Sequence, residues 1–357
     1  MKFSKLFIPG PTHVTSDIME AFSNPQIGHR TPEISDIINY IVKGIQNLLY
    51  TQNHIYLTSH AATGLWEMGT KNSVEKGVLH AVNGAFSSKW ALSSEQSGFT
   101  TQRIDFDWGN GIDVQQLDSE LSTGKYDVFA MVHNETSTGA MSNLDAISKL
   151  LKSKYPDIIW LVDAVSSMAG IKIEVDRLGI DFILSSTQKA WGLPAGFSIC
   201  AVSDRLIEKS KDIKNKGYFL DIQTYEKYYA KNQTPTTPSI PHMYGLKKVL
   251  SLIEDEGLES RWERHKNMSK YTRNWVETHQ QEIFTSPDAI SYTLTCIKNV
   301  QDWNIEKINE DLLSKGFRMD RGYGKFRFKT FRIPHMGNIH MEDLKEYLNI
   351  FESVICR

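Results

Sequence analysis

Two residues of this sequence, Asp163 and Lys189, are placed where a reactive pair could form. Asp163 ends the apolar run 158–163, and Lys189 follows the strand-like segment 181–185 and a short Ser/Thr turn. Open α/β sheets bind their ligands at the carboxyl edge of their strands. Taken singly, the lysine has a simpler interpretation as a solvated charge and the aspartate as a helix cap. Together they are the two groups that pyridoxal phosphate requires: a lysine for a Schiff base and a carboxylate beside the pyridine nitrogen.

A phosphate group would need a third feature, and residues 58–67 could supply it. This segment passes from a strand-like run through small residues into a helix-like run. A helix N-terminus can donate backbone N–H groups to an anion. The segment lacks a GxGxxG motif, so ordinary helix capping is the alternative interpretation.

These residues depend on a sheet, and the sequence predicts one between about residues 55 and 205. Short β-rich apolar runs alternate there with longer mixed segments, the pattern of an α/β fold with a mostly parallel sheet covered by helices. The predicted strands are 55–58, 77–82, 127–133, 158–163, 181–185 and 197–202, and 144–151 has helical spacing.

The pattern changes toward the C-terminus. Spaced apolar residues among charged ones predict one long surface helix over 249–275. Strands at 290–297 and 330–333 and helices at 305–315 and 341–351 follow. We expect an N-terminal segment 1–14 at the substrate site, a large domain over 15–250 and a small α+β domain over 251–357.

Composition excludes several classes of function. The 357 residues contain 40 Lys and Arg against 42 Asp and Glu, a net charge of −2. That balance offers no basic field for nucleic acid or an anionic membrane. No apolar stretch reaches the ~18 residues of a membrane span, and Pro9 and Gly10 come too early for a signal peptide, so we expect a cytoplasmic location. Cys200, Cys296 and Cys356 form no CxxC pair, and the histidines show no HExxH spacing, so neither a disulfide framework nor a metal site is expected.

Seven segments in a consistent order resemble the class V, fold-type I pyridoxal phosphate aminotransferases. This group contains phosphoserine aminotransferase and the serine– or alanine–glyoxylate aminotransferases. The matching segments extend from Pro-Gly-Pro-Thr at 9–12 to Arg-Ile-Pro-His-Met-Gly at 332–337, which is nearly the whole chain.

The resemblance implies a role for each matched residue. Lys189 would carry the cofactor, Asp163 would pair with its ring nitrogen, and Phe86 would stack on the ring. Thr136 would bind the phenolic oxygen, with Val165 packed behind the ring. The phosphate would be bound by Ala61, Ala62, Thr63 and Gln188, and by Gln233, Thr234 and Thr236 of a neighbouring subunit, in a homodimer with shared active sites. Arg332 would bind the carboxylate of an amino acid or 2-oxo acid, and Gly10 would let the protein backbone approach that substrate closely.

The motifs that bear on the substrate point to two branches of this group. His29 and Arg30 are similar to the His-Arg segment that binds the phosphate or distal carboxylate in phosphoserine aminotransferases. The C-terminal segment 332–337 is instead similar to the glyoxylate branch. We expect phosphoserine:2-oxoglutarate transamination first, with serine– or alanine–glyoxylate (or serine–pyruvate) transamination as the alternative. A class V cysteine desulfurase is disfavoured because Gln188, not His, precedes Lys189. A non-catalytic α/β nucleotide-binding module is the alternative from another class.

Overall fold

The computed structural model describes residues 4–355. The strands are β1 Lys5–Phe7, β2 His54–Thr58, β3 Val78–Val82, β4 Thr101–Asp105, β5 Val128–Val132, β6 Asn134–Glu135, β7 Ala140–Met141, β8 Ile159–Asp163, β9 Phe182–Ser186, β10 Ser198–Val202, β11 Glu282–Ile283, β12 Leu294–Lys298, β13 Phe317–Met319 and β14 Thr330–Pro334. The helices are α1 Ser16–Phe22, α2 Pro32–Leu49, α3 Ala62–Lys71, α4 Ala85–Gln96, α5 Val114–Leu121, α6 Leu144–Lys154, α7 Val175–Leu178, α8 Asp204–Ser210, α9 Ile222–Tyr229, α10 Ile240–Glu256, α11 Leu258–Thr278, α12 Ile305–Ser314 and α13 Met341–Ile355.

A seven-stranded sheet with the order β2-β10-β9-β8-β5-β3-β4 forms the centre of the fold. Its pairs are parallel except those of β10, which runs antiparallel to both β2 and β9. The predicted α/β class and the six predicted strands of this region are confirmed, with ends that differ by at most one residue. The sheet also contains β4, which the sequence pattern did not indicate.

Helices cover both faces of this sheet, as its continuous apolar strands require. Alternate side chains of a strand point to opposite faces. Accordingly Trp160 and Val162 of β8 join an apolar cluster with α2 and α10, whereas Ile159 and Leu161 join a second cluster with α3. The sheet is thus fixed from both sides, and the carboxyl ends of β8 and β9 lie next to each other, with Asp163 in register with Leu184.

The C-terminal part has its own apolar cluster around the sheet β11-β12-β14 and the helices α11 to α13. Phe7 of the N-terminal strand belongs to this cluster, because β1 pairs in parallel with β13. The predicted domain division stays a prediction, and residue 250 lies inside α10.

Two sequence expectations for the C-terminal part need correction. The single helix predicted over 249–275 is two helices, since Gly257, with φ +80°, ends α10 and begins α11. The strand predicted over 290–297 starts only at Leu294.

Two further findings concern the whole described chain. Between residues 4 and 355, no helix combines the length and apolar character needed to cross a bilayer. Cys200 and Cys296 are buried free thiols, and Cys356 lies outside the described residues.

Candidate active site

The structure brings Asp163 and Lys189 to one cavity of about 600 Å³ at the carboxyl edge of the central sheet. Asp163 is the last residue of β8, and Lys189 lies three residues beyond the end of β9. Most of the other predicted cofactor residues line the same cavity: Gly10, Ala61, Ala62, Thr63, Phe86, Thr136, Val165 and Gln188. The sequence had indicated neither Trp66 nor Lys89, which also line it.

Asp163 is a buried carboxylate that two N–H groups hold in place. The backbone N–H of Val165 donates to Oδ1 at 2.8 Å and the indole Nε1–H of Trp66 donates to Oδ2 at 2.6 Å. Burial raises the pKa of Asp163 to about 6, and these two hydrogen bonds oppose the increase. A cationic ring nitrogen in the cavity would stabilise the ionised form further.

Lys189 is buried, and its amine contacts the N-terminal segment. Nζ donates to the carbonyl oxygen of Pro9 at 2.7 Å. Burial, followed by the positive charge of Arg332, lowers the pKa of Lys189 to about 8, so a substantial fraction is neutral near physiological pH. Gly10 leaves room for this side chain, because a Cβ at Gly10 would lie 2.5 Å from Nζ, and its φ of +150° also disfavours other residues.

A phosphate group would fit at the N-terminus of α3. The cap residue is Ala61, which has no side-chain oxygen to accept hydrogen bonds from the first turn. Gly64 N–H donates to the Ala61 carbonyl oxygen at 3.0 Å, so the N–H groups of Ala62 and Thr63 are the ones available to an anion from the cavity. Together with the buried carboxylate and the amine, this end of α3 provides a partner for each reactive part of pyridoxal phosphate, so the residues present fit that cofactor.

Glu135 links the first turn of α4, which carries Phe86, to the turn after β6, which carries Thr136, a role that the sequence pattern did not indicate. Its carboxylate is fully buried and accepts hydrogen bonds from the N–H groups of Phe86 and Ser87, at 3.1 and 2.9 Å, in the first turn of α4. The N–H and hydroxyl of Ser137 donate to its other oxygen. A negative charge at a helix N-terminus is stabilised by the helix dipole. Glu135 thus fixes the backbone of Phe86 relative to Thr136, one residue along the chain.

Arg332 lies in β14 and does not itself line the cavity, but it contacts Thr136, which does. Its Nη1 donates to the carbonyl oxygen of Thr136 at 2.8 Å. Its Nε and Nη2 donate to the two oxygens of Asp320 at 2.8 and 2.7 Å. The guanidinium is buried, and the carboxylate of Asp320 contributes to raising its pKa above the usual value.

The remaining predicted residues lie elsewhere in this chain. Arg30 donates to the carbonyl oxygen of Thr234 at 2.7 Å and, at 3.4 Å, to the side chain of Gln233. Thr234 in turn donates to the carbonyl oxygen of Thr236. Neither this loop nor His29 lines the cavity around Lys189 of the same chain. Their expected contacts with a substrate or a neighbouring subunit stay predictions.

Comparison with known proteins places this geometry in context. A family model described as "Aminotransferase class-V" matches residues 13–322. An uncharacterised aminotransferase of Methanocaldococcus jannaschii is 33% identical over 340 residues, which are 93% of this chain and 87% of that protein. The serine–glyoxylate aminotransferase of Arabidopsis thaliana is 31% identical over 344 residues, 94% of this chain and 86% of that protein. The crystal structure of an alanine–glyoxylate aminotransferase from Nostoc sp. superposes with a TM-score of 0.93 at 26% identity, covering 99% of this chain and 96% of that one.

Proposed function

The chain belongs to the class-V aminotransferases, and we propose that it transfers an amino group from serine or alanine to glyoxylate. The enzyme is a pyridoxal-phosphate-dependent transaminase of fold type I. The observation that carries the transamination chemistry is the convergence of the Lys189 amine and the Asp163 carboxylate on one cavity. The choice of glyoxylate is supported by the names of the relatives in Arabidopsis and Nostoc, whereas the sequence motifs had favoured phosphoserine.

When bound, pyridoxal phosphate supplies an aldehyde that condenses with amines and a ring that withdraws electrons from the adjacent carbon. Asp163 would hold the ring nitrogen in its protonated form, because a buried carboxylate favours a cation beside it. The first turn of α3 would hold the phosphate, and Phe86 would lie against the ring. Trp66 and Val165 keep the carboxylate oriented through their N–H groups.

Lys189 has the properties of the general base. Transamination requires a group that removes the α-proton of the donor and returns it at a neighbouring carbon. Only the neutral amine can accept that proton, and burial already lowers the pKa of Lys189 to about 8. The carbonyl oxygen of Pro9, in the N-terminal segment, accepts a hydrogen bond from Nζ at 2.7 Å and thereby orients the amine.

Arg332 would bind the carboxylate that both substrates share. Its planar guanidinium can donate two parallel hydrogen bonds to a carboxylate. Its third contact, to the Thr136 carbonyl oxygen, ties its position to the loop beside the ring. The same arginine would serve the amino acid and the 2-oxo acid in turn, which predicts ping-pong kinetics.

A substrate matrix tests the proposal. The cofactor-loaded enzyme is assayed with serine, alanine or phosphoserine as donor and glyoxylate or 2-oxoglutarate as acceptor. We expect kcat/KM for serine or alanine with glyoxylate to exceed that for phosphoserine with 2-oxoglutarate by tenfold or more. The opposite preference would restore phosphoserine as the substrate. In that case Arg30→Ala should reduce the reaction of phosphoserine far more than that of alanine, whereas our proposal expects equal effects.

We also propose that the active enzyme is a cytoplasmic homodimer. In support, Gln233, Thr234 and Thr236 lie outside the cavity of their own chain, on a loop that Arg30 fixes. From there they would reach the cofactor phosphate of the neighbouring subunit. Sedimentation of the active enzyme as a monomer would contradict this arrangement.

A further inference from the structure

Arg332, the expected carboxylate-binding residue, already binds a carboxylate of its own chain. Asp320 receives Nε–H at 2.8 Å on Oδ1 and Nη2–H at 2.7 Å on Oδ2. This is the bidentate arrangement in which arginine binds carboxylates most strongly. Asp320 therefore occupies the Nε–Nη2 edge of Arg332, an edge that could otherwise bind the carboxylate of an amino acid or 2-oxo acid.

The ion pair between Arg332 and Asp320 is shielded from water, unlike an ion pair on the protein surface. The side chains of Arg332 and Asp320 are only 7% and 11% exposed. Exposed ion pairs contribute little because water competes with them, and that competition is weak here. The third nitrogen, Nη1, is engaged by the carbonyl oxygen of Thr136. An incoming carboxylate therefore finds the Nε–Nη2 edge of Arg332 occupied.

A second cavity next to Asp320 could accommodate its carboxylate away from Arg332. It lines a cavity of about 390 Å³ together with Arg318, Arg321 and Arg327, beside the cavity that contains Lys189. These three cations could pair with the carboxylate once it leaves Arg332. Gly322 N–H also donates to Asp320, at 2.9 Å, and the segment that follows contains two glycines with positive φ, Gly322 and Gly324.

We propose that Asp320 is a specificity-determining residue that competes with the substrate carboxylate for Arg332. In the free enzyme Asp320 neutralises Arg332, and a ligand must displace it into the neighbouring arginine-lined cavity. A ligand whose carboxylate can form the same two hydrogen bonds displaces Asp320, whereas an anion that binds weakly or is poorly aligned does not. The inference rests on the proposed role of Arg332 in binding substrate, and it does not depend on which amino acid is the donor.

The test measures how tightly the cofactor-loaded enzyme binds acetate, a carboxylate with no amino or keto group. Ligand-observed NMR titration gives the Kd for the parent enzyme and for Asp320→Asn. Asparagine keeps the size of the side chain and removes its charge. Asp320→Ser is the second variant, since it retains an acceptor for Gly322 N–H if the amide disturbs the loop. The matched control is Asp311→Asn, the same substitution at a partly exposed carboxylate of α12 that pairs with Lys307 and not with an arginine of this cavity.

We expect the Kd for acetate to fall tenfold or more in Asp320→Asn and Asp320→Ser, and to stay unchanged in Asp311→Asn. The KM of the preferred amino acid should fall in parallel while kcat changes little. An unchanged or weaker affinity in both Asp320 variants, or a kcat that falls without any decrease in KM, would mean that Asp320 only orients Arg332. That result would overturn the inference.

A further variant distinguishes two negative results: that Asp320 does not compete with substrate, and that Arg332 does not bind the substrate carboxylate at all. Arg332→Lys removes the bidentate geometry and should raise the Kd for acetate in any enzyme that uses Arg332 for carboxylates. If Arg332→Lys leaves the affinity unchanged, carboxylates bind elsewhere, and both the role of Arg332 and the inference about Asp320 are wrong. If Arg332→Lys raises the Kd for acetate but the Asp320 variants do not lower it, Arg332 still binds carboxylates and only the inference about Asp320 is wrong.

Discussion

Replacing Trp66 by phenylalanine should destabilise the ionised form of the Asp163 carboxyl group and so raise its pKa. The change removes the indole N–H that donates to Oδ2 at 2.6 Å. Hydrogen bonds to charged groups contribute about 1.5–3 kcal/mol. Since one pKa unit corresponds to about 1.36 kcal/mol, the pKa of Asp163, already about 6, should rise by roughly 1 to 2. Trp90→Phe is the matched control, because Trp90 is a buried neighbour stacked on Trp66 whose Nε1–H finds no acceptor among the described residues.

The assay is urea unfolding of the cofactor-free variants at pH 8 and pH 5. A folded-state pKa above the unfolded one makes Asp163 favour folding at low pH, and this contribution is lost as the pH rises through the folded value. At pH 8 the carboxylate is ionised in Trp90→Phe and at least half ionised in Trp66→Phe, so Trp66→Phe should unfold with about 1.5–2.5 kcal/mol less free energy than Trp90→Phe. At pH 5 the carboxyl is mostly protonated, and the difference should shrink to that of a neutral hydrogen bond, about 1 kcal/mol. Equal stabilities at pH 8, or a difference that persists undiminished at pH 5, would refute the reasoning.

Two further predictions concern Lys189. Because only the neutral amine attacks an aldehyde and the pKa of Lys189 is about 8, the rate at which cofactor-free enzyme attaches pyridoxal phosphate should rise with pH up to about 8 and then level off. Borohydride trapping measures it, and a rate still climbing at pH 10 would indicate an unperturbed lysine. Gly10→Ala should lose most of its transaminase activity while still folding, because the new Cβ would lie 2.5 Å from Nζ. Gly98→Ala is its control, with positive φ but open space around the position, and equal losses of activity in the two variants would make backbone strain the cause.

The sequence predicted the central sheet well because its strands are nearly continuous apolar runs that end in polar residues. β8 and β9 are buried on both faces, so hydrophobicity alone marks their limits. β4 escaped notice for the opposite reason. It lies at the edge of the sheet, and its sequence Thr-Gln-Arg-Ile-Asp contains a single apolar residue.

Local pattern failed where a single residue changed the backbone direction. Charged and apolar residues keep helical spacing across residue 257, so the pattern continued through a position where the chain turns. Gly257 takes a φ of +80° there and separates α10 from α11. Only the conformational freedom of glycine, not periodicity, carries that information.

The site residues also divide into those that a local sequence pattern marks and those that it does not. Lys189 and Asp163 could be found because each lies beside a strand end and because the segments around them resemble a known family. Trp66, Glu135 and Asp320 act through contacts with residues distant in sequence or with backbone N–H groups. Trp66 bonds to a residue 97 positions away, and no local signal marks such a pairing. Long-range contacts of this kind require the three-dimensional structure.

The N-terminal segment joins two parts of the enzyme over a very short length of chain. Residues 5–7 pair with β13, and the carbonyl oxygen of Pro9, two residues later, receives the amine of Lys189. A displacement of β13 would therefore reach the reactive amine through only a few residues of chain, without passing through the helices that surround the large sheet.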